Sequence, residues 1–575
     1  MLKKIMCCIV IGLLTVGFLS GIGSAENAKP VQKSLPVIHQ KGYTIHPPIK
    51  INSDSEFDAQ FPSRIISGYD INGSTDHCCI YIGNCSKPFT IKNCFIHNPD
   101  GSTNKGLYIY NSINSNITNN EFIDCTTGIM IESSHNNNIN SNKCFNNTLG
   151  IYLLSANNNS VHNDTTLNNY DYGILIANSN NNVLTNNICN LNSDGIGIAN
   201  SNNNIFMNNI VSANRYMGTI IQSSKYNTFF NNSLHKCGFM FDGDNIIFFN
   251  SHQIETNNTI NNRTMYYIIN KNHINIPNGA GQVIIANSTY IDVVNQNLSD
   301  SSVSIEIAYS NNCTIKNNDC KRAEHTGIQI WESCNNMIDN NNCSDSNYGI
   351  CCLRSSGNNI ITNNTCLFNY YGIDIEYSNY NNITNNLCSY NENKGAFIYC
   401  SNMNIISDNN CSYNKDTGIH LYGSNNNSVN NNTCSFNMKN GITLFNVKYN
   451  HVIYNKLDNN SWYGVCVDYT IYNHISHNTF INNNVGGKQG ADSNNINFWN
   501  TTGSPHGYGN YWSDWVSPDN NSDGIVDFVY WLGNGAGDHY PLTIPSPPVP
   551  ESPPPALIAL LLVILPIVLV FKRKH

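Results

Sequence analysis

Asp374 and Glu376 stand two residues apart in the run Gly372-Ile373-Asp374-Ile375-Glu376. On an extended strand that spacing puts both carboxyls on one face, with Cα atoms about 6.8 Å apart. The carboxyls of an inverting glycosidase lie about 6.5–9.5 Å apart, so this pair has the spacing for acid–base work on a glycosidic bond. Aligned on successive glycines, the fourth following residue reads Trp331, Leu353, Glu376, Tyr399, Tyr422, Phe445 and Asp468; the second reads Gln329, Cys351, Asp374, Phe397, His420 and Thr443. Both files are expected to face outward. Sugar rings stack on aromatic faces and their hydroxyls bond to carboxylates, so Trp331, Tyr399, His420, Tyr422 and Phe445 beside two acids suit glycan binding. A solvated polar sheet face is the plainer reading, and catalysis by Asp374 and Glu376 the narrower one. His420 is two repeats from Asp374, about 9.6 Å along a sheet, too far for direct relay. Arg354 is the one base nearby, and no Lys or Arg cluster at the acids suggests lyase chemistry.

A second constellation is Asp519-Asn520-Asn521-Ser522-Asp523-Gly524-Ile525-Val526-Asp527. Asp519, Asn521 and Asp523 place oxygens on alternate residues, Gly524 permits a sharp turn, Ile525 offers its carbonyl and Asp527 a further carboxylate. Tyr530 stands where an EF-hand has Glu, so the pattern resembles a shorter structural calcium loop; an Asx-rich turn without metal competes with it.

These residues are carried by a repeat. Glycines at 106, 128, 150, 173, 195 and 218, then 327, 349, 372, 395, 418, 441, 464 and 487, recur every 22–23 residues. Each leads an apolar/polar alternation and then Asn-rich corners. Three short strands per turn predict an all-β chain, a right-handed parallel β-helix. Nine residues after each glycine stand Asn336, Asn358, Asn381, Asn404, Asn427, Asn450 and Asn473, a file suited to an amide ladder. Eleven residues after stand Ile338, Ile360, Ile383, Ile406, Val429, Val452 and Ile475, an interior file. Cys343, Cys388, Cys411 and Cys434 share a position with Leu457 and Phe480, which marks buried packing thiols; a disulfide or soft-metal ladder is the alternative. Cys78, Cys79, Cys85 and Cys94 are candidates for a disulfide in the first coils.

The boundaries follow. Residues 1–25 read as a secretory signal peptide, 26–61 as a leader or cap, 62–243 as the first half of the helix and 244–300 as an interruption. Residues 301–500 form the second half, and 501–544 a cap in which Trp512, Trp515 and Trp531 cover the open core. A Pro-rich stalk (545–555) and an apolar tail closed by Lys572-Arg573-Lys574 (556–575) fit a membrane anchor or a processing signal. Asn-x-Ser/Thr sequons such as Asn116, Asn231 and Asn382 would be exposed at corners, and export would make them glycosylation sites. A formal charge of −9 with 12% charged residues argues against a nucleic-acid partner.

The Gly-Ile-x-Ile-x-x-Ser-x-x-Asn unit resembles that of the NosD-like family of exported β-helix proteins. So do Thr264-Met265-Tyr266-Tyr267-Ile268, the run Gly279 to Asn287, Gly509-Asn510-Tyr511-Trp512-Ser513-Asp514 and Asp538-His539-Tyr540-Pro541-Leu542. The resemblance spans most of residues 62–544. It implies a right-handed β-helix related to carbohydrate-binding and sugar-hydrolase folds, and a name-giving member concerned with copper-site assembly of nitrous oxide reductase. This chain has no Met- or His-rich copper stretch. Val549-Pro550-Glu551 resembles the Pro-Glu-Phe sorting tails of methanogen surface proteins, with Ser552 in place of Phe. The expected partners are glycans or an envelope polysaccharide, and a membrane through the tail.

Overall fold

The structure, a computed structural model, describes residues 42–73, 78–98, 104–501 and 507–547. The signal peptide, most of the stalk and the C-terminal tail lie outside the described residues. Among the described residues no helix is long and apolar enough to cross a membrane. The chain divides at residue 44; of the first unit only 42–44 is described, and the unit from Ile45 carries the architecture.

That unit is a parallel β-solenoid of about 19 turns. Strands such as Thr127–Glu132, Leu149–Leu154 and Tyr172–Ala177 form one long-strand face, paired in register with the next turn. In the first solenoid two faces of short strands complete most turns; in much of the second, one face of three-residue strands and a file of single bridges from Asn297 to Thr433 do so. Every inward Ile, Leu, Val or Phe therefore stacks on its counterpart one turn away. Ile328, Ile350, Ile373, Ala396, Ile419, Ile442 and Val465 make one such file, each 1% exposed or less. Burying each large aliphatic side chain contributes roughly 1.5–3 kcal/mol.

The leading glycine is required by closeness. A Cβ on Gly349 would lie 2.4 Å from the Gly372 carbonyl oxygen of the next turn. That file holds through Gly441 and Gly464, but Gly487 is not its next member. Gly464 N–H bonds the carbonyl of Gln489, and Val465 pairs with Gly490, so the last coil runs two residues longer than the repeat predicts.

The amide ladder is present, with one correction. Its second member is Asn359, not Asn358: Asn359 Oδ1 accepts from Asn336, and Asn359 Nδ2 donates to Asn381 Oδ1 at 3.1 Å. The interior aliphatic of that coil is accordingly Ile361, not Ile360. The coil carries an extra residue at the Arg354–Ser355 turn, where both have left-handed backbone. The corner's two tasks are also divided. Asn335, Asn358, Tyr380 and Met403 take the positive φ, while the following Asn turns inward and donates. Further Asn ladders run through Asn318–Asn341–Asn364–Asn386 and Asn391–Asn414–Asn437–Asn460.

The solenoid is broken in the middle. The first part ends near Ile260, and a hairpin pairs Thr259–Ile260 antiparallel with the start of Arg263–Ile269. The next strands, Ala280–Ala286 and Val303–Ala308, begin a second solenoid and are buried on both faces. Val283, Ile285, Ile305 and Ile307 point into the second core, while Ile284, Ala286 and Ala308 join the first. The outer face of the second solenoid thus covers the open end of the first. Polar bonds fix the contact: Gln282 accepts from Phe239 N–H (2.9 Å) and donates to Phe239 O, and Glu306 Oε2 accepts from Phe241 N–H (3.2 Å).

At the far end Trp512 stacks between Phe480 and Tyr530, with centroids 4.0 and 4.1 Å away. Trp499, Trp512 and Tyr530 are 1% exposed or less; Trp531, expected in the cap, is 52% exposed and lies on the outside of a terminal hairpin. Cys78, Cys79, Cys85 and Cys94 are free thiols.

Candidate functional site

The in-register pairing brings the sequence files together on the outer side of the second long-strand face. Gln329, Cys351, Asp374, Phe397, His420 and Thr443 are consecutive partners, as are Glu376, Tyr399, Tyr422, Phe445 and Asp468. The face is not the open, solvated surface expected. Gln329, Cys351 and Asp374 are each 5% exposed or less, although they point away from the core. Aromatic neighbours carpet them: Tyr348, Tyr371 and Phe397 follow one another at 5.7 and 5.5 Å between centroids.

Trp331 is not available to a ligand. It is 5% exposed, packs on Phe249 from the end of the first solenoid, and carries the Arg354 guanidinium 4.4 Å from its ring centroid. Tyr399, Tyr422 and Phe445 are reachable, but Tyr422 stacks on Phe445 at 5.1 Å and Tyr399 packs tilted against Tyr422 at 5.3 Å. One turn of a solenoid is close to one aromatic stacking distance. In-register rings therefore cover each other's faces and offer mainly edges and hydroxyls. Stacking of sugars along this file, as expected from residue types, has no free ring face between neighbours.

What the face does offer is polar atoms without partners. Gln329 Nε2, Trp331 Nε1, Asp374 Oδ1 and His420 Nε2 are buried and make no hydrogen bond. Burial holds the Asp374 carboxyl well above the usual range; the Glu376 charge adds to this and Lys394 opposes it. Burial also raises Glu376. His420 is pushed down to about 3 by burial first and by Lys394 second, so the ring is neutral at physiological pH. Phe397 separates His420 from Asp374, its centroid 5.4 Å from the imidazole.

The residue sequence reasoning missed is Lys394. It is 9% exposed, and its ammonium sits 5.1 Å from the Tyr371 ring centroid and 5.0 Å from that of Phe397. Its Nζ lies 3.8 Å from Asp416, which a second lysine, Lys439, approaches to 3.3 Å. Lys394 is the register partner of Tyr371, one residue before the repeat glycine, so a scan of the second and fourth positions passes over it.

The loop from Asp519 to Asp527 is internally bonded; Asn520 to Asp523 and Asp527 are exposed, while Ile525 and Val526 are buried. Asp519 accepts from the N–H groups of Asp523 and Gly524, Asp523 Oδ1 from Ile525 N–H, and Asp527 Oδ2 from Asn520. Calcium here is a proposal resting on the residue pattern of Asp519, Asn521, Asp523, Ile525 and Asp527. Calorimetry on folded protein is expected to show calcium binding that firms only the C-terminal cap, and absence of heat overturns it.

Taken together, the fold and this face define a two-part parallel β-solenoid with a sheltered polar file on one sheet. The chain belongs to the family described as "Periplasmic copper-binding protein (NosD)", whose model matches residues 66–267, 237–421 and 324–517. No curated protein matches it. Among solved structures, the A-module of the Azotobacter vinelandii mannuronan C-5 epimerase AlgE4 is similar at 9% identity and a TM-score of 0.27, over 78% of this chain and 92% of that one. The periplasmic alginate epimerase AlgG matches at 11% identity and a TM-score of 0.24, over 75% and 85% of the two chains. An alginate lyase from Paenibacillus sp. str. FPU-7 matches at 11% and 0.25, over 55% and 94%. At that identity and superposition these likenesses say nothing about chemistry.

The family name implies copper, and the donors present do not fit it. Cys320, Cys343, Cys366, Cys388, Cys411 and Cys434 form a file of thiols one turn apart, each with 0% exposure in the second core. Among the described residues no three His, Cys, Asp or Glu are grouped to hold a metal.

Proposed function

We propose that this is an exported protein that binds a polysaccharide along the outer long-strand face of its second solenoid. One observation carries the reading: a run of buried polar groups on an outer face, with Asp374 Oδ1 and His420 Nε2 lacking partners. An unpaired buried polar atom is costly, about 1–3 kcal/mol, and is retained where a ligand or water completes it. Successive turns set these different groups at a fixed spacing along one face, which suits an extended polymer. Because the ring faces are covered, recognition runs through hydrogen bonds to Asp374, Glu376, His420 and the tyrosine hydroxyls. Export is supported by the charged and apolar N-terminal segment, and surface attachment by the apolar C-terminal one.

A glycan array with wild type and an Asp374→Asn/His420→Ala double variant tests this. Wild type is expected to select an oligosaccharide and the variant to lose it by about tenfold or more, the equivalent of one buried hydrogen bond. An array with no wild-type signal overturns the reading.

The pair of acids favours a second reading. A carboxyl raised by burial beside a second, less buried one is the arrangement of a general acid with its partner. In a reducing-end release assay, activity lost in both Asp374→Asn and Glu376→Gln would make the face catalytic.

A further inference from the structure

We propose that Asp164 is a proton-dependent link in an amide ladder of the first solenoid: protonated, its second carboxyl oxygen donates where an asparagine amide would, and ionised, it cuts the ladder at that turn.

The ladder runs through Asn120, Asn142, Asp164, Asn187, Asn209 and Asn232, one residue per turn. In each asparagine Oδ1 accepts from the turn before, while Nδ2 donates both to the next member and to a backbone carbonyl of the preceding turn. Asn142 Nδ2 reaches Asp164 Oδ1 and Ile117 O, each at 2.9 Å; Asn187 Nδ2 reaches Asn209 Oδ1 at 3.0 Å and Val161 O at 2.9 Å. Asp164 keeps the accepting half of this pattern. Its Oδ1 takes the Asn142 N–H at 2.6 Å, and its own N–H donates to Asn187 Oδ1 at 3.0 Å, so it stands in register. Its Oδ2 then falls where the amide nitrogen belongs; the residue is 0% exposed and that atom has no partner. The neighbours fix what that place faces: Asn187 Oδ1 on one side, and on the other the carbonyl of Ile139, the register partner of Ile117 and Val161. Both are acceptors. A carboxylate brings only lone pairs to them, whereas a carboxylic acid brings an O–H that satisfies one. Burial, which pushes this carboxyl up to about 7, works in the same direction. The titratable groups facing it from the flanking turns are the Cys144 and Cys189 thiols, both raised by burial and so neutral, and neither supplies a counter-charge.

The test is hydrogen exchange on the full chain, wild type beside Asp164→Asn, at about pH 5 and about pH 9. The variant places the residue that the other turns carry. Comparing the two proteins at one pH cancels the base catalysis of exchange and the titration of every acid they share. At the lower pH the amides of Asn142, residue 164 and Ile188 are expected to exchange at similar rates in both proteins. At the higher pH they are expected to exchange about tenfold faster in wild type, the equivalent of one lost buried hydrogen bond, while the second solenoid's ladder through Asn318, Asn341 and Asn364 stays matched. A wild-type to variant ratio that is the same at both pH values overturns the proposal, because a donor merely missing from the ladder would not depend on pH. Infrared difference spectra, wild type minus Asp164→Asn, read the proton directly. A neutral-carboxyl band is expected at about pH 5, where an exposed aspartate is already ionised, and is expected to vanish by about pH 9. No such band at the lower pH overturns the assignment of the proton.

Discussion

Asp538→Ala is expected to open the C-terminal end of the second solenoid. Asp538 is fully buried. One carboxylate oxygen accepts from Asn510 N–H (2.6 Å) and Trp512 Nε1 (2.9 Å), and the other from Tyr540 N–H (3.1 Å). Alanine leaves two buried donors, Asn510 N–H and Trp512 Nε1, and the part-buried Tyr540 N–H without an acceptor; at about 1–3 kcal/mol for each buried donor, the loss is on the order of 2–6 kcal/mol. The loss falls where the structure can least absorb it. Trp512 is the plate that closes the core over Phe480, and a solenoid's last turn has no neighbour to bury it. Hydrogen exchange should quicken in Thr479–Ile481 and Tyr511–Trp512 while the first solenoid stays protected. A variant with wild-type melting and wild-type exchange in those strands would refute the cap's dependence on this carboxylate.

The second large effect is a loss of stability as pH rises from about 6.5 to 8.5. Glu306 sits in the contact between the two solenoids, and burial pushes its carboxyl up to about 8, with Asp242 adding and the Phe241 N–H opposing. Its folded pKa exceeds the unfolded one, so the stability linked to its proton is fully present below about 4.5. It is lost as pH climbs through about 8. Asp164, Asp194 and Asp538, each raised to about 7 chiefly by burial, act in the same direction. The buried histidines His252 and His325, lowered to about 4 by burial, oppose this only below about 6.5, because they fold neutral. Above that the histidines no longer oppose the acids, and Glu306 by itself contributes about 2 kcal/mol of the fall between pH 6.5 and 8. Glu306→Gln keeps an acceptor for Phe241 N–H and removes the titration, so its profile should be flatter. Matching slopes for wild type and Glu306→Gln would show that the junction stays closed without that proton.

Much of this architecture is legible in the residues. A period of 22–23, glycine before each alternation and asparagine at the corners leave few alternatives to stacked parallel turns. The backbone needs a residue without a Cβ at one point and amides that can bond up and down at another. The one-residue slip at Asn358 and Asn359 shows the limit. Two adjacent asparagines serve a left-handed corner and an inward ladder, and only the pairing with Asn336 and Asn381 tells which is which. Gly487 misleads likewise, because Gln489 extends the file with a backbone carbonyl that any residue supplies.

The candidate site was read half-way. Asp374, Glu376, Tyr399, His420, Tyr422 and Phe445 do share one face, because register follows from the repeat. Lys394 was hidden by its position before the glycine, and Trp331 by the end of the other solenoid, some eighty residues earlier in the chain, folding onto it.

Sequence alone determined the stacked turns and most members of the inward files, since these depend on residues one period apart; the members next to the extra residue at Arg354–Ser355 were set by the pairing. Tertiary structure decided which outward residues meet solvent. That depends on contacts between distant turns, on the covering of one solenoid's end by the other's flank, and on rings shielding the groups beside them. Burial in turn raised the titration of Asp374 and Glu306 and lowered that of His420, because desolvation is a property of surroundings that no local pattern records.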